Sequence, residues 1–275
     1  MARRKVGVVG YGHLGQYLVE HLLSSETCEL CFVWNRTTSA LKGKVDDKYI
    51  LDDLEMFSQC GADLIVEVAH PVITETYGEK FLHDADYMVG SPTGLAKKEL
   101  ELKLRNATVK HGLYIPAGAL WGGEDIKKMA DRDTLKAVKL TMSFHPSSFR
   151  LLGELDVKNK AVKEKKTVLY DGEVRPLCSL APSNTNTMAA ASLAAHTLGF
   201  DKVQGCLIAD PELTDYHIIQ TEVWGNSHIK DKVFYVCTVR KNPATKGHVT
   251  GSATYNSFLS SVYGANGKGP GVHLC

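Results

Sequence analysis

The sequence predicts an α/β protein in which a domain on a parallel sheet precedes a second, α+β domain on a mostly antiparallel sheet. Three observations carry this. Up to about residue 116, short β-branched runs alternate with helical stretches, the pattern of parallel strands joined by right-handed crossovers. Between the first strand and the first helix sits a glycine-rich turn, Gly10-Tyr11-Gly12-His13-Leu14-Gly15. After about Gly123 the apolar period becomes two, and strand follows strand.

Element by element, Lys5–Val9 is a β-branched strand, and a helix runs from Leu14 to about Ser24. Glu29–Trp34 and Asp63–Val68 are the next two strands. Pro71 suits a first helical position, because its missing N–H has no helical partner there, and opens a helix to about His83. Tyr87–Gly90 is a strand, Lys97 to about Lys110 a charged amphipathic helix, and Leu113–Ile115 the closing strand. The boundary falls after Pro116, giving a first domain over 1–116 and a second over 117–250. In the second, Lys136–Phe144 alternates apolar and polar residues as a half-buried strand does. Thr167–Tyr170 and Val174–Leu177 flank Asp171-Gly172, a hairpin signal. Thr187–Leu198 is an alanine-rich helix able to pack closely. Val203–Ala209, His217–Trp224 and Lys232–Arg240 complete the strands, the last two turning at Gly225-Asn226. A helix over about 252–263 is expected to return to the first domain, and the glycine-rich residues from Gly264 onward read as loop.

Composition narrows the function classes. The 275 residues are 44% hydrophobic and 23% charged, ordinary for a soluble globular chain with a real core. A formal charge of +1 argues against nucleic acid or an anionic membrane as partner, and no apolar run approaches a membrane span. The basic Arg3-Arg4-Lys5 leads directly into a strand and reads as a solvated turn. Seven scattered cysteines do not make a disulfide framework. Cys28 and Cys31 have C-x-x-C spacing without a second pair, so they read as small buried hydrophobes, and no metal site is expected. The expected compartment is reducing, hence cytoplasmic.

The glycine turn has the context a dinucleotide site requires: strand before it, helix after it, a second strand to follow. Gly10 permits the tight turn, Gly12 leaves room for a pyrophosphate, and Gly15 lets helix and strand approach, while His13 and Leu14 open the helix whose N-terminus favours an anion. This is a Rossmann domain holding a nicotinamide dinucleotide. At the end of the second strand, where NAD-selective sites carry an acid, stand Asn35 and Arg36. Arg36 can pair with a 2′-phosphate, so NADP is favoured over NAD. Ala69 and His70 follow the Asp63–Val68 strand and are expected on the nicotinamide side, with His70 either positional or a helix entry.

Further stretches narrow the chemistry. Pro116-Ala117-Gly118-Ala119-Leu120 is a glycine-containing loop at a strand end, and Asn184-Thr185-Asn186-Thr187-Met188-Ala189 opens the alanine-rich helix. Asp210-Pro211 leads to Tyr216-His217, with Ser91-Pro92-Thr93-Gly94 and Asn242-Pro243-Ala244-Thr245 elsewhere. In order and spacing these resemble the L-aspartate dehydrogenase family over nearly the whole chain. The resemblance implies that His217 is catalytic, that Ala119 and Asn186 contact the cofactor, and that the substrate is L-aspartate, oxidised at Cα to an iminoaspartate that hydrolyses to oxaloacetate and ammonia. His145, Arg150, Asn184 and Asn186 are candidates by position for its carboxylates. His196 reads as structural, and His111, His228, His248 and His273 have no supporting context. A related reductase of another substrate, or an NADP-binding sensor without turnover, are the alternatives. An antiparallel sheet with helices on one face leaves the other to be covered, so a homodimer is expected.

Overall fold

The computed structural model describes residues 3–227, 229–230 and 232–275, so His228 lies outside the described residues. The chain divides into two compact units, one holding residues up to Pro116 with Leu259–His273 and Cys275, the other Ala117–Phe258 with Leu274.

The first unit is a six-stranded Rossmann-like sheet of β1 (Arg4–Val9), β2 (Cys28–Trp34), β3 (Leu64–Glu67), β4 (Asp86–Val89), β5 (Gly112–Ile115) and β11 (Gly271–Leu274), in the order β11-β5-β4-β3-β1-β2. β1 pairs in parallel with both β2 and β3, and β3, β4 and β5 continue in parallel. The middle strands are apolar throughout: Val6, Val8, Leu64, Ile65, Val66, Met88, Val89, Tyr114 and Ile115 are fully buried. That is how strands covered on both faces read, and each such side chain contributes roughly 1.5–3 kcal/mol of burial. The helices are α1 (His13–Leu23), α2 (Pro71–Asp84) and α3 (Lys98–Ala107). Tyr87 buries its ring under α2 and its hydroxyl meets that of Thr74 at 2.8 Å, so the one polar atom of a core side chain is satisfied. Cys28 is buried on β2, and burial pushes the Cys31 thiol, three residues on, up to about 12.

The sequence assigns the residues after Gly264 to loop, but Gly271–Leu274 form a strand beside β5. Of the glycines that mask it, Gly264 ends a helix and Gly267 and Gly269 lie in the turn before the strand.

The second unit holds a mixed sheet of β6 (Leu135–Phe144), β7 (Thr167–Glu173), β8 (Gln204–Ala209), β9 (Tyr216–Gly225) and β10 (Phe234–Pro243), in the order β10-β9-β6-β8-β7. Only β6 and β8 run parallel; the other pairs are antiparallel. Its helices are α4 (Gly123–Asp131), α5 (Gly153–Ala161), α6 (Val174–Leu180), α7 (Asn186–Ala194) and α8 (Gly199–Lys202), and α9 (Ser252–Gly264) begins in this unit. Residues 187–194 of α7 are all buried, as its run of alanines allows.

The hairpin expected at Asp171-Gly172 does not form. β7 passes straight through both residues, with Asp171 paired to Lys139 at 2.8 Å, and the chain then enters α6. Val174, Leu177 and Cys178 are its buried positions, a helical spacing that overrides the local turn signal. No helix among the described residues is long and apolar enough to cross a membrane.

Candidate functional site

In the first unit the glycine turn is shaped by contacts that admit no side chain at two positions. Gly10 has φ +114°, and a Cβ there would stand 2.8 Å from the Val68 backbone; one on Gly15 would land on the Gly10 carbonyl oxygen. Gly12 differs. It caps α1 in ordinary extended backbone with nothing within 4 Å of where a Cβ would be. No side chain caps α1 and no acid stands in its first turn, so its leading amides are available to an anion. His13 is exposed and Leu14 half-buried at that helix start. These residues fit a dinucleotide: a tight turn, an open cradle above Gly12 and an uncapped helix.

Asn35 ties the end of β2 to the turn, its Oδ1 accepting from the Tyr11 amide at 3.2 Å and its Nδ2 donating to the Thr37 carbonyl at 3.0 Å. Arg36 beside it is exposed, without a hydrogen bond or ion pair among the described residues. Ala69 and His70 are exposed where β3 leads into α2, and His70 caps that helix by accepting from the Val72 amide at 3.2 Å. Glu67, which nothing in the sequence singles out, is wholly buried beneath this turn.

In the second unit His217 sits near the start of β9, buried, with the Phe144 ring edge-on at 4.3 Å between centroids. Burial pulls its imidazole down to about 4, against a backbone hydrogen bond to His248 that favours the protonated ring. The ring is therefore neutral at physiological pH. Its Nε2 is buried and has no partner among the described residues. Directly across the strand pair stands Asn242, which places the two side chains on one face. Asn242 donates from Nδ2 to the Thr254 hydroxyl at 2.8 Å, and its buried Oδ1 is likewise unpartnered among the described residues. A third such atom is Oδ1 of Asn186, at the start of α7. Orphaned buried polar atoms are costly; Asn159 Oδ1 on α5 is a fourth in this unit, and the strand register sets His217 and Asn242 side by side as a pair able to meet a ligand.

Arg240 lies two residues before Asn242, on the same face. Its guanidinium donates to the Gly118 carbonyl at 3.1 Å, pinning the loop that carries the buried Ala119, and no carboxylate pairs with it among the described residues. Burial lowers its pKa. Three positional candidates for the carboxylates are otherwise engaged. Asn184 accepts from the Arg150 amide at 2.7 Å and donates to the Ser148 carbonyl at 3.2 Å. Arg150 donates to the carbonyls of Ser147, Phe149 and Gly247. His145 accepts from the Ser147 amide at 3.1 Å through Nδ1, and burial lowers its pKa. These hold the loop after β6. Asn242 enters the sequence reading only as part of the Asn242-Pro243-Ala244-Thr245 stretch and Arg240 not at all, because what sets them at a site is the register against His217. His196, exposed in the turn after α7, sets its Nε2 2.9 Å from the Asp131 carboxylate.

Two family models match: residues 10–116 fit the one described as homoserine dehydrogenase, NAD binding domain, and residues 125–261 the one described as aspartate dehydrogenase, C-terminal. The chain is 53% identical to an aspartate dehydrogenase domain-containing protein of Xenopus tropicalis, over 99% of this chain and 98% of that one. It is 31% identical to an L-aspartate dehydrogenase of Methanococcoides burtonii, over 79% and 83% of the two chains. The crystal structure of aspartate dehydrogenase from Thermotoga maritima has the same fold, with TM-score 0.67 at 21% identity over 95% of this chain and 94% of that one.

Proposed function

The chain belongs to the aspartate dehydrogenase family, and from that premise we propose that it oxidises L-aspartate to iminoaspartate with a nicotinamide dinucleotide, the imine then hydrolysing to oxaloacetate and ammonia. The observation that carries this reading is the neutral, buried imidazole of His217 with its Nε2 unpartnered among the described residues. Cα gives up hydride only when the nitrogen lone pair is free, so the substrate ammonium must first lose a proton. Nε2 of a neutral histidine accepts one, and the negative charge of a dicarboxylate substrate raises the ring's affinity for it. Asn242 Oδ1, across the strand, accepts a hydrogen bond from the same amine and orients it. Arg240 is the cation offered to a substrate carboxylate. When bound, the nicotinamide takes the hydride.

The test is a dehydrogenase screen of amino acids with NAD and NADP in parallel. Aspartate should turn over well ahead of asparagine and alanine, and Arg240→Met should erase much of that preference. A protein that binds NADPH but oxidises no amino acid would be a sensor, and the enzymatic reading would fall.

NADP is the preferred cofactor in this reading, because Arg36 is exposed at the β2 end with no acid in the position that would repel a 2′-phosphate. Arg36→Ala should weaken NADPH binding by about 1.5–3 kcal/mol, as for a charge-assisted hydrogen bond, and leave NADH nearly unchanged. Equal losses for the two cofactors in fluorescence titration would show that Arg36 does not read the phosphate.

The same reading includes a homodimer in a reducing, cytoplasmic compartment. All seven cysteines are free thiols. Along β9 and β10 one face of the sheet presents Trp224 against Tyr235, with Val239 and Lys241 beyond, much of it exposed. A second copy of the chain would cover it. Sedimentation velocity at micromolar concentration should give twice the mass of one chain; a single-chain mass would remove the dimer from the proposal.

A further inference from the structure

Glu67 ends β3 with its carboxyl fully buried. Its register partner is Val9, the residue before the glycine turn. It therefore stands where the strand order reverses, with β2 on one side of β1 and β3 on the other. Open α/β sheets bind their ligand in the crevice outside the strand ends at that reversal. The β2 end, with Asn35 and Arg36, is the adenosine-ribose side, so the other half of a dinucleotide extends over the ends of β3 and β4.

The carboxyl joins the two loops at those ends. Oε1 accepts from the Ala69 amide at 2.6 Å and from the Ser91 hydroxyl at 3.1 Å, and Oε2 accepts from the Ser91 amide at 3.0 Å. The two amides can only donate and favour the ionised form, whereas the Ser91 hydroxyl can turn to accept a proton from Oε1, so the site accommodates both states. Burial acts against the charge and lifts the carboxyl to about 7. No cation pairs with it among the described residues. From β4, Tyr87 is the ionisable neighbour, its phenol raised by burial and by the Glu67 charge. β1 offers apolar Val9, and the turn offers His70, whose Nδ1 is occupied by the Val72 amide.

We propose that Glu67 is a positioning residue of the dinucleotide site whose ionisation is linked to the redox state of the nicotinamide. The ionised carboxylate holds the Ala69–His70 turn and the Ser91 loop in place, and it stabilises the oxidised ring, which carries a positive charge that the reduced ring lacks. By reciprocity, the oxidised cofactor drives Glu67 to release its proton and the reduced cofactor does so less. This rests on the dinucleotide-binding fold alone and is independent of the substrate.

Calorimetric titration in buffers of different ionisation enthalpy counts the protons released on binding. Near pH 7, NADP+ should release a substantial fraction of a proton and NADPH distinctly less. Affinity for NADP+ should rise with pH through the Glu67 titration, by at most about tenfold per pH unit for one proton. Glu67→Gln should abolish the release and flatten that dependence, and it should weaken NADP+ more than NADPH. Equal or zero release with the two cofactors in the wild type, readable even if Glu67→Gln does not fold, would overturn the proposal. So would release that survives in Glu67→Gln.

Discussion

His217→Ala is expected to bind NADPH as the wild type does and to lose aspartate turnover by about 10²–10⁴-fold, the range for a positioned acid–base group. Binding survives because the glycine turn and the β2 end belong to the first unit, while His217 lies on β9 in the second. The pH dependence gives a separate signature. The proton-accepting form is the neutral ring, so kcat/KM for oxidation should hold as pH falls through 7 and 6 and drop toward about 4, where the buried ring takes a proton. His217→Ala should lack that inflection. Stability follows the same group. Histidine's ordinary 6.5 applies to the unfolded chain and about 4 to the folded one, so between these values the unfolded state binds more proton. Stability from this residue is present above about 6.5 and is lost as pH falls toward 4. Wild-type turnover in the variant would make His217 structural, and a wild-type inflection near 7 that disappears with the ring would mean its burial is relieved in solution.

Gly12→Val is expected to abolish nucleotide binding in a protein that still folds. The open space around Gly12 and its φ of −73° mean that a Cβ there meets no protein atom within 4 Å and strains no backbone. The valine side chain fills the volume a pyrophosphate would take. Gly10 and Gly15 are poorer probes, since a side chain at either collides with backbone and would confuse unfolding with lost binding. A Gly12→Val protein with a wild-type melting curve and unchanged NADPH affinity would refute the role assigned to the turn.

What could be read in advance and what could not divide along physical lines. The glycine turn declares itself because each glycine answers a local backbone demand, and the strands of the first sheet because buried parallel strands are apolar almost without interruption. Glu67 does not declare itself: an acid at a strand end is usually solvated, and its burial follows only from how the loops after β3 and β4 close over it. Arg240 and Asn242 need the β9–β10 register, a long-range quantity, before either can be set beside His217. At Asp171-Gly172 a strong local turn signal loses to pairing with β8 and the ion pair to Lys139. α4 and α5 were passed over because each begins at a glycine, Gly123 and Gly153, and so resembles loop.

The strand Gly271–Leu274 has a consequence for how the chain is made. It lies beside β5, whose last residue is Ile115, and the Cys275 amide bonds the Ile115 carbonyl at 3.1 Å across a separation of 160 residues. A ribosome must therefore deliver the whole intervening unit before the sheet begun at β1 can be finished. Until then the nascent chain displays β5 as an open edge, its amides and carbonyls free to pair with any extended segment nearby. Loop closure over so long an interval is slow, which extends that exposure. The exposed edge is what a holdase chaperone would shield during translation, and a fragment ending near Pro116 would keep it permanently bare.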